Sequence, residues 1–103
     1  MAVENRAALD EWLARSHQGP VVLFKHSLTC PISARAHREM QRLGGEVALV
    51  VVQRARAVSD EVAARTGVRH ESPQVFVLRD GQAAWSASHF DITAAAVAAA
   101  AGR

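Results

Sequence analysis

The sequence predicts an α/β fold in which a central mixed sheet of about four strands is flanked by helices, carried by one domain spanning residues 1–103. Three observations predict it. Short, β-branched apolar runs alternate with amphipathic stretches, the signature of parallel strands joined by helical crossovers. Glycine and proline fall between these segments rather than inside them. The last third of the chain breaks the alternation, placing two strand-like runs around Asp80-Gly81, a tight-turn pair that adds an antiparallel hairpin. At 103 residues there is enough chain for one core and too little for two ordinary domains.

From Asn5 to His17, Ala8, Leu9, Trp12 and Leu13 fall on one helical face, and Gly19-Pro20 stops the helix. Val21 to Phe24 is too short for a helix and reads as a buried strand. Pro31 opens the next helix, where its missing N–H is harmless, with Ile32, Ala36, Met40 and Leu43 as the expected buried stripe and Gly44-Gly45 as its end. Val47 to Val52 is a second buried strand. Ser59 or Asp60 is the expected cap of a short helix carrying Val62 and Ala63, closed by Gly67. Gln74 to Arg79 and Gln82 to Ser86 form the hairpin, and an Ala-rich helix runs from about Asp91, its expected cap, to Ala101. The order αβαβαββα is thioredoxin-like.

Composition narrows the function. The formal charge is +2, and the basic residues are scattered without stacking aromatics, which gives nucleic-acid binding little support. The longest apolar run falls far short of the roughly 20 residues of a membrane helix, and the acidic start lacks the features of a signal peptide. The expectation is a cytoplasmic protein without membrane partners.

There is one cysteine, Cys30, so no internal disulfide can form. It sits at the junction of a strand and a helix, where unpaired N–H groups and the positive end of the helix dipole favour a thiolate over the ordinary thiol, whose pKa is near ~8.5. A strand-end cysteine can instead be an inert small hydrophobe. Against that, its neighbours Lys25, His26, Ser27 and Thr29 are polar. Ser33, three residues on, stands where two-cysteine oxidoreductases carry a resolving thiol. Its hydroxyl can bond the thiolate, or bond the backbone as helix-start serines do. Either way the chemistry is monothiol.

Ser72-Pro73 precedes a central strand, as a turn or cis proline would. In thioredoxin-like folds a cis proline lies against the active cysteine, which would leave the backbone of Ser72 to pair with an extended substrate. Lys25 is the sole lysine among twelve basic residues. Near the thiol it would favour thiolate or attract an anion, although a solvated strand-end lysine is the more ordinary outcome. His26, His37, His70 and His89 are spaced too irregularly for a zinc site, and no metal is expected. His26 and His70 flank the two loops expected to meet at Cys30, where either can tune the thiol or bind carboxylates. Surface histidines are the commoner case.

Phe24-Lys25-His26-Ser27, Thr29-Cys30-Pro31-Ile32-Ser33, Thr66-Gly67-Val68 and His70-Glu71-Ser72-Pro73-Gln74-Val75-Phe76 together resemble the monothiol bacilliredoxin family. The likeness continues through Asp80-Gly81, Trp85 and Ser88 to Thr93. It implies a thiol-disulfide oxidoreductase that removes bacillithiol, a low-molecular-weight thiol of some bacteria, from protein mixed disulfides. Cys30 would be the attacking thiol, supported by Thr29, Pro31, Ser33, Lys25 and His26, and Pro73 the cis proline. Ser72, Pro73 and His70 would bind substrate, with the malate and sugar of bacillithiol near Lys25, Arg69 or His70. The implied partners are S-bacillithiolated client proteins, with bacillithiol or a second redox protein for regeneration. No tightly bound cofactor is implied, bacillithiol being a co-substrate. The alternatives are a monothiol glutaredoxin-like protein that uses another small thiol or shares an iron-sulfur cluster, although Pro-Ile-Ser replaces the Gly-Phe-Ser of those proteins, and an interaction module whose thiol is idle.

Overall fold

A computed structural model describes residues 1–103. Its elements run α1 (Arg6–Arg15), β1 (Val21–His26), α2 (Pro31–Leu43), β2 (Ala48–Val51), α3 (Arg56–Thr66), β3 (Gln74–Arg79), β4 (Gln82–Ser88), a 3-10 turn (His89–Asp91) and α4 (Ala94–Ala101). The four strands form one mixed sheet in the order β2-β1-β3-β4. β1 is parallel to β2 and antiparallel to β3, and β3 and β4 form the hairpin. Met1 to Val3 extend the β2 edge through a parallel bridge between Ala2 and Leu49. No helix is long and apolar enough to cross a membrane.

Alternation along β1 divides the core. Val21 and Leu23 face α1 and α3, joining Leu9, Trp12, Val58, Val62, Phe76 and Leu78 in one buried cluster. Val22 and Phe24 face α2 and α4, joining Ala36, Met40, Val75, Val77, Ile92 and Val97. Period-two alternation then commits the next two residues as well: Lys25 continues the first face and His26 the second. Both belong to the strand, which runs two residues beyond the expected Phe24 because each polar end finds a partner.

One helix start and two caps differ from expectation. Asn5 lies outside α1 and caps it, its side chain accepting from the Ala8 N–H at 2.8 Å. α3 starts at Arg56 after Ala55, which makes no side-chain cap. Ser59 therefore lies inside the helix and is buried, because burial of Ala55 and Val58 against the sheet outweighs a missing cap. Thr93, not Asp91, caps α4 by accepting from the Ala96 N–H at 3.1 Å, and Asp91 closes the 3-10 turn. Along α2 the buried stripe is Ser33, Ala36 and Met40, while Ile32 and Leu43 are half-buried. A serine occupies the deepest position of the first turn.

Candidate active site

Cys30 is the N-cap residue of α2 and is half-buried, with extended backbone (φ −103°, ψ 120°) and Pro31 behind it. The first intrahelical bond is Ala34 N–H to the Cys30 carbonyl at 3.0 Å. The N–H groups of Ile32 and Ser33 have no backbone partner. They leave the helix's positive end open at the residue that carries the sulfur.

Ser33 is fully buried and committed elsewhere. Its Oγ accepts from the Ser27 N–H at 2.9 Å and shares a 2.7 Å hydrogen bond with His26 Nδ1, with none to Cys30. Of the two roles open to it in the sequence, the structure shows backbone anchoring: the side chain where a resolving thiol could stand ties down the loop before Cys30. His26 is itself buried, its ring 4.7 Å from that of His37, so it is no surface histidine. Burial, and then the charge of His37, lower its pKa and favour the neutral ring.

Gln53 completes the loop. Its Oε1 accepts from the Leu28 N–H at 3.1 Å, and its Nε2 donates to Ser27 Oγ at 2.8 Å and reaches Thr29 Oγ1 at 3.5 Å. One amide thus spans three successive residues ahead of the thiol. Sequence reasoning missed it, although the topology carries a signal: β1 and β2 are parallel, so the residues just beyond β2 lie beside those just beyond β1. Gln53→Ala is expected to speed amide exchange at Leu28 about fivefold, with about 1 kcal/mol lost globally, by NMR exchange and urea melts. Unchanged protection at Leu28 would mean that the loop holds itself.

Lys25 overturns the expectation of a solvated strand end, because it is fully buried. Its Nζ donates to the Ser59 carbonyl at 2.9 Å and lies 3.2 Å from His70 Nδ1, with the Phe76 ring centroid at 5.7 Å. Desolvation lowers its pKa to about 8, partly opposed by the charge of Asp60. His70, expected to flank the site, is an exposed residue anchored through Nδ1, from which Ser59 Oγ also lies 3.2 Å away. Three residues on, the Ser72–Pro73 peptide is cis and Pro73 is buried. The loop is pinned by Glu71 N–H to Gln74 Oε1 at 3.2 Å, Gln74 Nε2 to the exposed Arg69's carbonyl at 3.0 Å, and His89 N–H to the Pro73 carbonyl at 3.1 Å. Ser72 makes no backbone hydrogen bond, and its buried Oγ has no partner. No group of three His, Cys, Asp or Glu side chains is placed to hold a metal ion.

Strands β1 and β3 are antiparallel, with Lys25 opposite Gln74. The end of β1 that leads to Cys30 is therefore the end of the sheet at which the Arg69–Pro73 loop enters β3. The sequence-selected residues gather at this one end, although Lys25, His26 and Ser33 lie beneath its surface.

The sequence profile of monothiol bacilliredoxin BrxC matches residues 1–97. A solved structure described as a candidate oxidoreductase with a thioredoxin fold superposes with a TM-score of 0.88 at 30% identity, over 97% of this chain and 91% of that one. Thioredoxin from Trypanosoma brucei brucei gives 0.76 at 10% identity, covering 97% and 85% of the two chains. Thioredoxin from Fasciola hepatica gives 0.74 at 17% identity, covering 99% and 96%. The two thioredoxins bear on the fold alone.

Proposed function

The chain belongs to the monothiol bacilliredoxin family, and we propose that it removes bacillithiol from protein mixed disulfides through Cys30. At the coarser level it is a thiol redox protein of thioredoxin-like fold. The observation that carries the finer reading is a single half-buried cysteine at an open helix N-terminus, with Ser33 committed to the loop where a second thiol would otherwise stand.

The Cys30 thiolate attacks the bacillithiol sulfur of a modified client. A Cys30–bacillithiol disulfide forms as the client–bacillithiol disulfide breaks, and the client sulfur leaves with the electron pair and takes a proton from solvent. No second cysteine can resolve the new disulfide, so an external thiol must, either bacillithiol itself or the thiol of another redox protein. In this reading the unpaired backbone of Ser72 receives the client segment beside Pro73, and His70 and Arg69 face the small thiol. Lys25 is too deep to touch substrate and acts from below.

Intact-protein mass spectrometry tests the reading. Mixed with a bacillithiolated protein, this chain is expected to gain one bacillithiol, at Cys30, as the client loses it, and to shed it again when free bacillithiol is added. Transfer from a glutathionylated client but not from a bacillithiolated one would replace the proposed substrate. Transfer from neither would sink the reading.

A further inference from the structure

We propose that Lys25 is a positioning residue: it locks His70 into the Nε2–H form, a fixed hydrogen-bond donor at the Cys30 end of the sheet for a carboxylate of the small-thiol substrate. The inference rests on the function proposed above and extends it to recognition.

Hydrogen-bond logic assigns the tautomer. An ammonium has three donors and no acceptor, so a hydrogen bond across the 3.2 Å between Lys25 Nζ and His70 Nδ1 requires a lone pair on Nδ1, whereas the Ser59 hydroxyl, 3.2 Å from the same atom, can serve either tautomer. A neutral imidazole with Nδ1 as acceptor carries its proton on Nε2. Lys25 cannot turn away, being fully buried with a second donor on the Ser59 carbonyl and the Phe76 ring nearby. His70 is an exposed residue whose Nδ1 is held by Lys25 and Ser59, which leaves Nε2 as the ring nitrogen without a protein partner. A cation bonded to Nδ1 draws density from the ring and strengthens the opposite N–H as a donor.

The charges around the ring favour an anionic acceptor. Lys25 lies behind it on β1, Arg56 and Asp60 act on it from α3, and Glu71 follows it in the loop. Arg69 precedes it, exposed. Burial, and then Lys25, lower the pKa of His70, which keeps the ring neutral at physiological pH. Two residues separate His70 from Pro73, so the donor sits in the loop that enters β3 at the Cys30 end of the sheet.

Long-range 1H–15N NMR of the full chain at pH 7 reads the tautomer directly. The expected spectrum shows His70 protonated on Nε2 with Nδ1 bare in the native chain, and a mixture of tautomers in Lys25→Met. A native ring that is protonated on Nδ1, or that already interconverts, would overturn the assignment without any variant. Kinetics read the consequence. With mixed disulfides of carboxylate-bearing thiols, Lys25→Met and His70→Phe are each expected to raise KM about tenfold and leave kcat within about twofold. With the carboxylate-free disulfide of cysteamine, the rise in KM should be at least about fivefold smaller in both variants. Equal losses on both kinds of disulfide, or a loss in kcat alone, would reduce Lys25 to a structural role. If the KM effect appeared with glutathione while bacillithiol proved no substrate, the functional reading would fail and this inference would stand.

Discussion

Replacing Cys30 by serine is expected to abolish thiol exchange, with a rate loss of at least about a thousandfold. A hydroxyl stays protonated near neutral pH, and the chain has no other sulfur nucleophile, since its remaining sulfurs are methionine thioethers. The fold should scarcely notice. Cys30 makes no side-chain cap bond and is only half-buried, so the midpoint of urea unfolding should move by less than about 0.5 kcal/mol in equivalent free energy. Release of bacillithiol from a client, followed by mass, measures the first effect, and denaturant melts measure the second. Exchange surviving at more than a hundredth of the native rate would mean that Cys30 is not the nucleophile. A large stability loss would mean that its sulfur packs more tightly than its exposure indicates.

What the sequence disclosed about this site, and what it hid, follows from the range of the interactions involved. The strand–helix junction at Cys30 was legible because its cues are adjacent: an apolar run, a break, then proline at the first helical position. The Asp80-Gly81 turn was legible for the same reason. Ser59 was misread as a cap because the alternative rests on contacts from β1 and the loop before β3, 34 and 11 residues away. Lys25 was misread with it. A lysine at a strand end is normally solvated, and only a carbonyl and an imidazole brought from distant segments let it remain inside. Gln53 carries no motif at all, and its importance comes from the parallel register of β1 and β2. Where local chemistry decided the structure the sequence sufficed, and where a buried polar group needed a partner from elsewhere it could name only one of the two.

Lys25→Met is the second large expectation: the variant should be more stable than the native chain at pH 7, by about 1–2 kcal/mol. The ammonium has been taken out of water with no carboxylate in contact, and its pKa has fallen from 10.5 to about 8 in consequence. That gap sets a ceiling of roughly 3 kcal/mol on the penalty, lowered by solvent near the exposed His70 and by the hydrogen bonds the ammonium makes. Between about pH 8 and 10.5 the unfolded chain still holds a proton that the folded chain has released, so native stability should rise with pH across that window. Below pH 8 both states hold it and the whole penalty applies. In the variant this part of the rise should vanish. The difference between the two curves, rather than either alone, isolates Lys25. A second, opposite window involves His70, whose pKa is lowered by burial and then by Lys25. As pH drops below 6.5 the unfolded chain takes up a proton that the folded ring resists, and native stability falls. With Lys25 gone the ring should accept the proton more readily, and the fall should shrink. Urea melts from pH 5 to 10.5 test both windows, and a variant less stable than the native chain at pH 7, or one that keeps the full alkaline rise, would show that the buried ammonium is well compensated. A methionine here fills the same space beside Phe76 and makes the easier core. On the proposal above, a lysine at this position exchanges stability for a fixed hydrogen-bond donor on His70, four residues before β3 and at the end of the sheet where β1 leads to Cys30.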